Sequence, residues 1–93
     1  MSDRYELTVA RPARRALTEE LPFKIAAAAW ELLDGALRDD PRRVGKPLRA
    51  PFAGHWVARR SSYRIRCRID EDKHTVVVLD VVGRADAYHR GRA

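Results

Sequence analysis

Tyr63-Arg64-Ile65-Arg66-Cys67-Arg68-Ile69 alternates an apolar with a cationic residue at every step. Successive side chains of a strand point to opposite faces, so this run predicts a half-buried strand. Tyr63, Ile65, Cys67 and Ile69 belong on its core face, and Arg64, Arg66 and Arg68 on its open face. Any one of these arginines, taken alone, reads as an ordinary solvated residue. The surroundings change that reading. Between Pro41 and Ile69 stand nine Lys/Arg (Arg42, Arg43, Lys46, Arg49, Arg59, Arg60, Arg64, Arg66, Arg68) and no Asp or Glu. With a total of +6, removing this +9 block leaves −3 on the rest of the chain. The positive charge is concentrated, and the open face calls for an anionic partner: nucleic acid first, an acidic protein second.

Working outward, His55 to Arg60 reads as a strand joined to the arginine strand by a tight Ser61-Ser62 turn. Asp70-Glu71-Asp72-Lys73 is a polar turn on the other side. Thr75 to Val82 is nearly all Val and Leu, interrupted by Asp80, and suits a central strand. Near the start, Tyr5, Leu7 and Val9 alternate with Glu6 and Thr8 as a short first strand. Pro12 sits where a first helical turn tolerates it, and a helix is expected at about 11 to 20. Pro22 ends that helix and opens another, to about Arg38. Lys24, Glu31, Asp34 and Arg38 form one narrow polar stripe on this second helix, against a wide apolar arc that includes Phe23 and Trp30. An arc that wide must cover more than one sheet. The first helix is expected to take most of it, with a partner-binding groove as the other use. Pro41 to Gly54 reads as a long loop, because Pro41, Gly45, Pro47, Pro51 and Gly54 break every period.

The order predicts an α+β fold: an N-terminal strand, a helical hairpin and a three-stranded antiparallel meander, with the helices on one face of a small sheet. Ninety-three residues suit one domain, 1–93, able to build a core without metal or disulfide. The lone Cys67 falls on the apolar phase and reads as a small core residue. No apolar run approaches the ~20 residues of a membrane span, and the first four residues do not open a signal peptide, so no membrane is expected and the cytoplasm is the default compartment.

Most familiar chemistries lack their residues. His55, His74 and His89 are too dispersed for a metal motif. Ser61 and Ser62 lie outside any nucleophile elbow, and Gly45-Lys46-Pro47 is not a phosphate loop. What remains is chemistry with basic and aromatic groups, with no metal and no cofactor. Cleavage of RNA by its own 2′-hydroxyl suits such a set: a base takes a proton, cations hold the charge on a five-coordinate phosphate, and an acid protonates the leaving 5′-oxygen. Arginine matches phosphate geometry, and tyrosine stacks on a splayed base or shuttles a proton, its pKa lowered beside arginines. Arg60, Arg64, Arg84 and Tyr88 supply this set if the last strand pairs beside the arginine strand. On composition and phase alone, simple nucleic-acid binding stands ahead of cleavage.

Five segments in order and spacing shift that balance. Gly45-Lys46-Pro47-Leu48-Arg49, Gly54-His55-Trp56, Ala58 through Ile65, Ile69-Asp70 and Gly83-Arg84-Ala85-Asp86-Ala87-Tyr88 resemble the RelE/ParE superfamily of type II toxin–antitoxin toxins, the RelE side more closely. The resemblance implies a toxin that cleaves ribosome-bound mRNA and so inhibits translation, neutralised by an antitoxin, which the basic block suggests is acidic and helical. It implies Arg64, Arg84 and Tyr88 as catalytic residues with Arg60 in support. Lys46, Arg49, Arg59, Arg66 and Arg68 remain for RNA binding. Two second-strand positions that are lysine in well-understood members are Trp56 and Ala58 here, Ala50 replaces a usual glycine and Cys67 a common aromatic. The alternatives are a ParE-like inhibitor of DNA gyrase without enzymatic activity, and a basic RNA-binding module.

Overall fold

The computed structural model describes residues 4–84. Strand β1 (Glu6–Val9) leads into α1 (Arg11–Arg15), which continues as a π-helical segment, Ala16–Glu20. Pro22 forces the residue before it out of the helical region, and Leu21 is extended at φ −86, ψ 146. Helix α2 (Phe23–Asp34) follows, then α3 (Ala36–Asp39) and α4 (Pro41–Val44), each a single turn. Strands β2 (Lys46–Pro47), β3 (His55–Arg59), β4 (Tyr63–Asp70) and β5 (Thr75–Gly83) complete the chain.

The sheet runs β1-β5-β4-β3-β2. The last three long strands form the expected antiparallel meander, and β1 pairs with β5 in parallel through Leu7↔Val76 and Val9↔Val78. The helices pack on one face. Ala13, Ala16 and Ala29 are buried there, small enough to let helix backbones approach the sheet, alongside Leu33 and Leu37. From below, Ala58, Tyr63, Ile65, Cys67, Val76, Val78 and Val81 close the core. The alternation along β4 therefore reads as predicted: Tyr63, Ile65 and Cys67 are buried, Arg64 and Arg68 exposed. Burial raises the Cys67 thiol to about 11, as befits a core residue.

Two expectations change, and β5 adds a feature that was not anticipated. The second helix stops at Asp34 rather than Arg38, because the chain turns at Gly35 (φ −108, ψ −101), where a Cβ would come 2.9 Å from the Glu31 carbonyl oxygen. The segment from Pro41 to Gly54 is not all loop. Asp40 caps α4, its carboxylate accepting from the Arg43 amide at 3.3 Å, and Pro41 occupies the first turn. Lys46–Pro47 then adds a fifth strand at the sheet edge. Finally, β5 carries one extra residue. Arg66 pairs with Asp80 and Cys67 with Val78, so Leu79 has no partner. Strict alternation from Val76 and Val78 would send Asp80 into the core. The bulge instead returns Val81 to the core and brings Asp80 to the open face beside Arg66.

A polar clasp holds β1 to the β4–β5 turn. The Tyr5 hydroxyl donates to Glu71 Oε2 at 3.0 Å and accepts from Arg42 Nη1 at 3.1 Å, while its ring stacks on His74 with centroids 4.0 Å apart. Arg42 also pairs with Glu71, whose carboxyl it holds below the ordinary range.

Candidate functional site

Arg59 and Arg64 stand directly opposite each other across β3 and β4, on the face away from the helices. Like charges in that position repel, by roughly 0.2–1 kcal/mol, and an anion between them relieves the repulsion. The hairpin that joins them is tight: the Arg60 amide donates to the Tyr63 carbonyl at 2.9 Å. At the end of β5, the Arg84 amide donates to the Ser62 carbonyl at 3.0 Å and fixes the chain beside that turn. Arg59, Arg60, Arg64 and Arg84 consequently line one hollow of about 540 Å³, with Val82 and Gly83 as its floor. Among the described residues, no carboxylate lines it. Arg64 and Arg84, far apart in sequence, share a single surface suited to a phosphodiester.

Tyr63 also borders this hollow, yet its hydroxyl turns inward and donates to the Ala28 carbonyl of α2 at 3.3 Å. Burial raises its pKa, outweighing the nearby Arg60 charge, which pulls the other way. The lowering expected for a tyrosine among arginines therefore does not apply to Tyr63, which is a core residue. Tyr88 lies outside the described residues.

The remaining cations are dispersed. Lys46 is exposed at the β2 edge opposite Val57, and Arg49 is exposed in the loop that follows. Arg68 is on the open face opposite His55, four residues from Arg64 and so roughly 13 Å along the strand. Arg66 departs from the expected free cation row: its Nη2 donates to Asp80 Oδ2 at 2.7 Å in a partly buried ion pair. The sequence signal for Asp80 was a lone acid in an apolar run. Its face could not be read without the bulge. Among the described residues, no group of three His, Cys, Asp or Glu could hold a metal ion, and no helix is long and apolar enough to cross a membrane.

A second hollow, of about 770 Å³, has different chemistry. It lies between β1 and the two principal helices, where Leu7, Val9, Leu17, Ala26 and the rings of Phe23 and Trp30 meet. Phe23 is 85% exposed and Trp30 48%. The first helix thus leaves part of the wide apolar arc of α2 uncovered, and β1, an edge strand, runs along that groove.

The fold is a small α+β domain with a cluster of arginines on its open face, and comparison with known proteins gives its class. Residues 9–88 match the family described as the ParE toxin of type II toxin–antitoxin systems, parDE. The chain is 48% identical over 86 residues to Toxin RelG of Mycobacterium tuberculosis, covering 92% of this chain and 98% of that protein. It is 39% identical over 84 residues to Toxin RelE of the same organism, covering 90% and 86%. The crystal structure of the toxin–antitoxin complex RelBE2 from Mycobacterium tuberculosis contains a chain that is 46% identical and superposes with a TM-score of 0.83, covering 87% of this chain and 99% of that one. The chain belongs to the RelE/ParE superfamily of type II toxin–antitoxin toxins.

Proposed function

We propose that this toxin is a metal-independent endoribonuclease that cuts ribosome-bound mRNA in the cytoplasm and thereby inhibits translation, working as one domain over 1–93. The observation that supports this reading best is the convergence of Arg59, Arg60, Arg64 and Arg84 on one hollow. In this reading Arg64 and Arg84 bind the non-bridging oxygens of the scissile phosphate and stabilise the charge that grows as the 2′-oxygen attacks phosphorus. Arg60 adds to the field, and Arg59 holds a neighbouring phosphate. Proton transfer falls to Tyr88, since the Tyr63 hydroxyl is engaged with α2. Lys46, Arg49 and Arg68 track the RNA backbone on either side.

The neutralising partner is an antitoxin, as in the RelBE2 complex. Its apolar contact is the groove beside β1, where Phe23 and Trp30 offer aromatic anchors next to the edge of the sheet.

Inducible expression of the toxin alone, followed by mapping of RNA 5′ ends, tests the activity. New ends inside coding sequences that disappear with Arg64→Ala or Arg84→Ala support it. Growth arrest with intact mRNA and damaged DNA would instead support the gyrase inhibitor that the ParE family description brings to mind. RNA binding without product would leave a binding module.

A further inference from the structure

Adjoining the arginine hollow on the same open face is a smaller one of about 350 Å³, and Arg59, Arg64 and Val82 border both. Its walls are Leu48, Phe52, Val57 and Val82, and Arg66 with Asp80 is its polar end. Phe52 is 48% exposed, a large aromatic at the rim. Apolar walls, a rim aromatic and one donor–acceptor pair make a site of the kind that takes a flat heterocycle.

We propose that this hollow is a nucleobase pocket and that the Arg66–Asp80 pair selects guanine. The inference rests on the ribonuclease reading, which seats a phosphate next door. A carboxylate on a face built for phosphates weakens backbone binding wherever it stands. The chain nevertheless brings Asp80 to that face by means of a bulge. Ionised Asp80 accepts only, and Arg66 donates only. The Watson–Crick edge of guanine presents two adjacent donors, N1–H and the N2 amino group, next to the O6 acceptor. The other three bases lack the adjacent donors that a carboxylate takes together. The pair is also not closed on itself: Arg66 Nε is buried with no hydrogen-bond partner among the described residues. Buried donors are ordinarily satisfied, so a resting structural pair leaves this one unaccounted for. Phe52 stacks on the base, and the adjoining arginines take its phosphate, so one nucleotide spans both hollows.

The competing account makes Asp80 a counter-charge that relieves repulsion along Arg64, Arg66 and Arg68. Equilibrium binding of the full chain separates the two. The probes are uridine hexaribonucleotides with a 2′-deoxy block against cleavage and a single guanosine, inosine, adenosine or cytidine at the centre. Guanosine should bind about fivefold or more tighter than inosine, which lacks only the N2 amino group. Asp80→Asn should abolish that difference, and Phe52→Ala should weaken all four probes together by about fivefold or more. Equal binding of guanosine and inosine by the unaltered protein overturns the pocket, with no variant required to fold. So does a guanosine preference that survives Asp80→Asn. Mapping of cut sites keeps the two proposals apart. Arg64-dependent cuts with no base preference sink the pocket and spare the nuclease, whereas guanine-selective binding without any cuts does the reverse.

Discussion

The arginine hollow and the apolar groove are hollows of comparable size built on different principles. The first, about 540 Å³, collects guanidinium groups from a hairpin and the end of a neighbouring strand. The second, about 770 Å³, collects rings and methyl groups from two helices and an edge strand. Guanidinium groups brought together this way attract anions, so the first suits a ligand that comes and goes. Exposed apolar surface is costly in water at all times, so the second suits a partner that stays. A toxin held inactive by a bound protein needs both properties, and keeping them at separate places lets activity and neutralisation vary independently.

Substitution gives the largest contrast. Arg64→Ala or Arg84→Ala should lower RNA cleavage by about 10²- to 10³-fold, the usual loss for one donor on a charged transition state, while antitoxin binding measured by calorimetry changes little. Trp30→Asp should do the opposite, weakening antitoxin binding by about 30-fold or more with cleavage by the free toxin unchanged. If Trp30→Asp slowed cleavage as much as Arg64→Ala, the separation of the two regions would be wrong.

Salt sharpens the contrast next. RNA affinity should fall with a slope of about −0.7 log units per phosphate contacted, and association through the groove should respond far less. A titration of each partner between low and physiological ionic strength reads both slopes.

Beneath the arginine face, Cys67 has its thiol raised to about 11 by burial, so alkylation at pH 8 should be slow in the folded protein and fast in denaturant. Prompt labelling of native protein would place the open face and the core differently from the arrangement described. The smallest effect belongs to the clasp behind β1. Hydrogen bonding and charge from Arg42 lower the folded-state pKa of Glu71 below its ordinary value of 4.5. The stability gained is therefore present above about 4.5 and lost as pH falls through the lower folded value. Glu71→Gln should flatten that acid limb of a thermal-melting profile by a small amount, because the pair is half exposed.

Much of this was legible in the chain. The period-two code of β4 is local, since each residue declares its own face, and burial follows it from Tyr63 to Cys67. The start of α4 was legible in principle, as Asp40-Pro41 is a capping residue followed by a favoured first residue, but the prolines and glycines beyond it masked the signal. The strand after the turn was different. A run of Val and Leu carries no phase, so nothing marks Leu79 as the unpaired residue, and the facing of Asp80 depends on a long-range register. The parallel pairing of β1 with β5 is equally a property of the whole chain. For the site, residue types and order pointed to Arg64 and Arg84, while the commitment of Arg66 to Asp80 required the neighbouring strand.

The unpaired Leu79 acts like an extra tooth on one side of a zipper. Every tooth before and after it meshes, so shortening β5 by that single residue would leave each partnership intact. The two halves of the ribbon would then sit flatter, and the end that carries Arg64 would swing relative to the end that carries Arg68. Geometry at the arginine end of this toxin is therefore set partly by a residue outside the hollow, through the angle at which two short lengths of strand are joined.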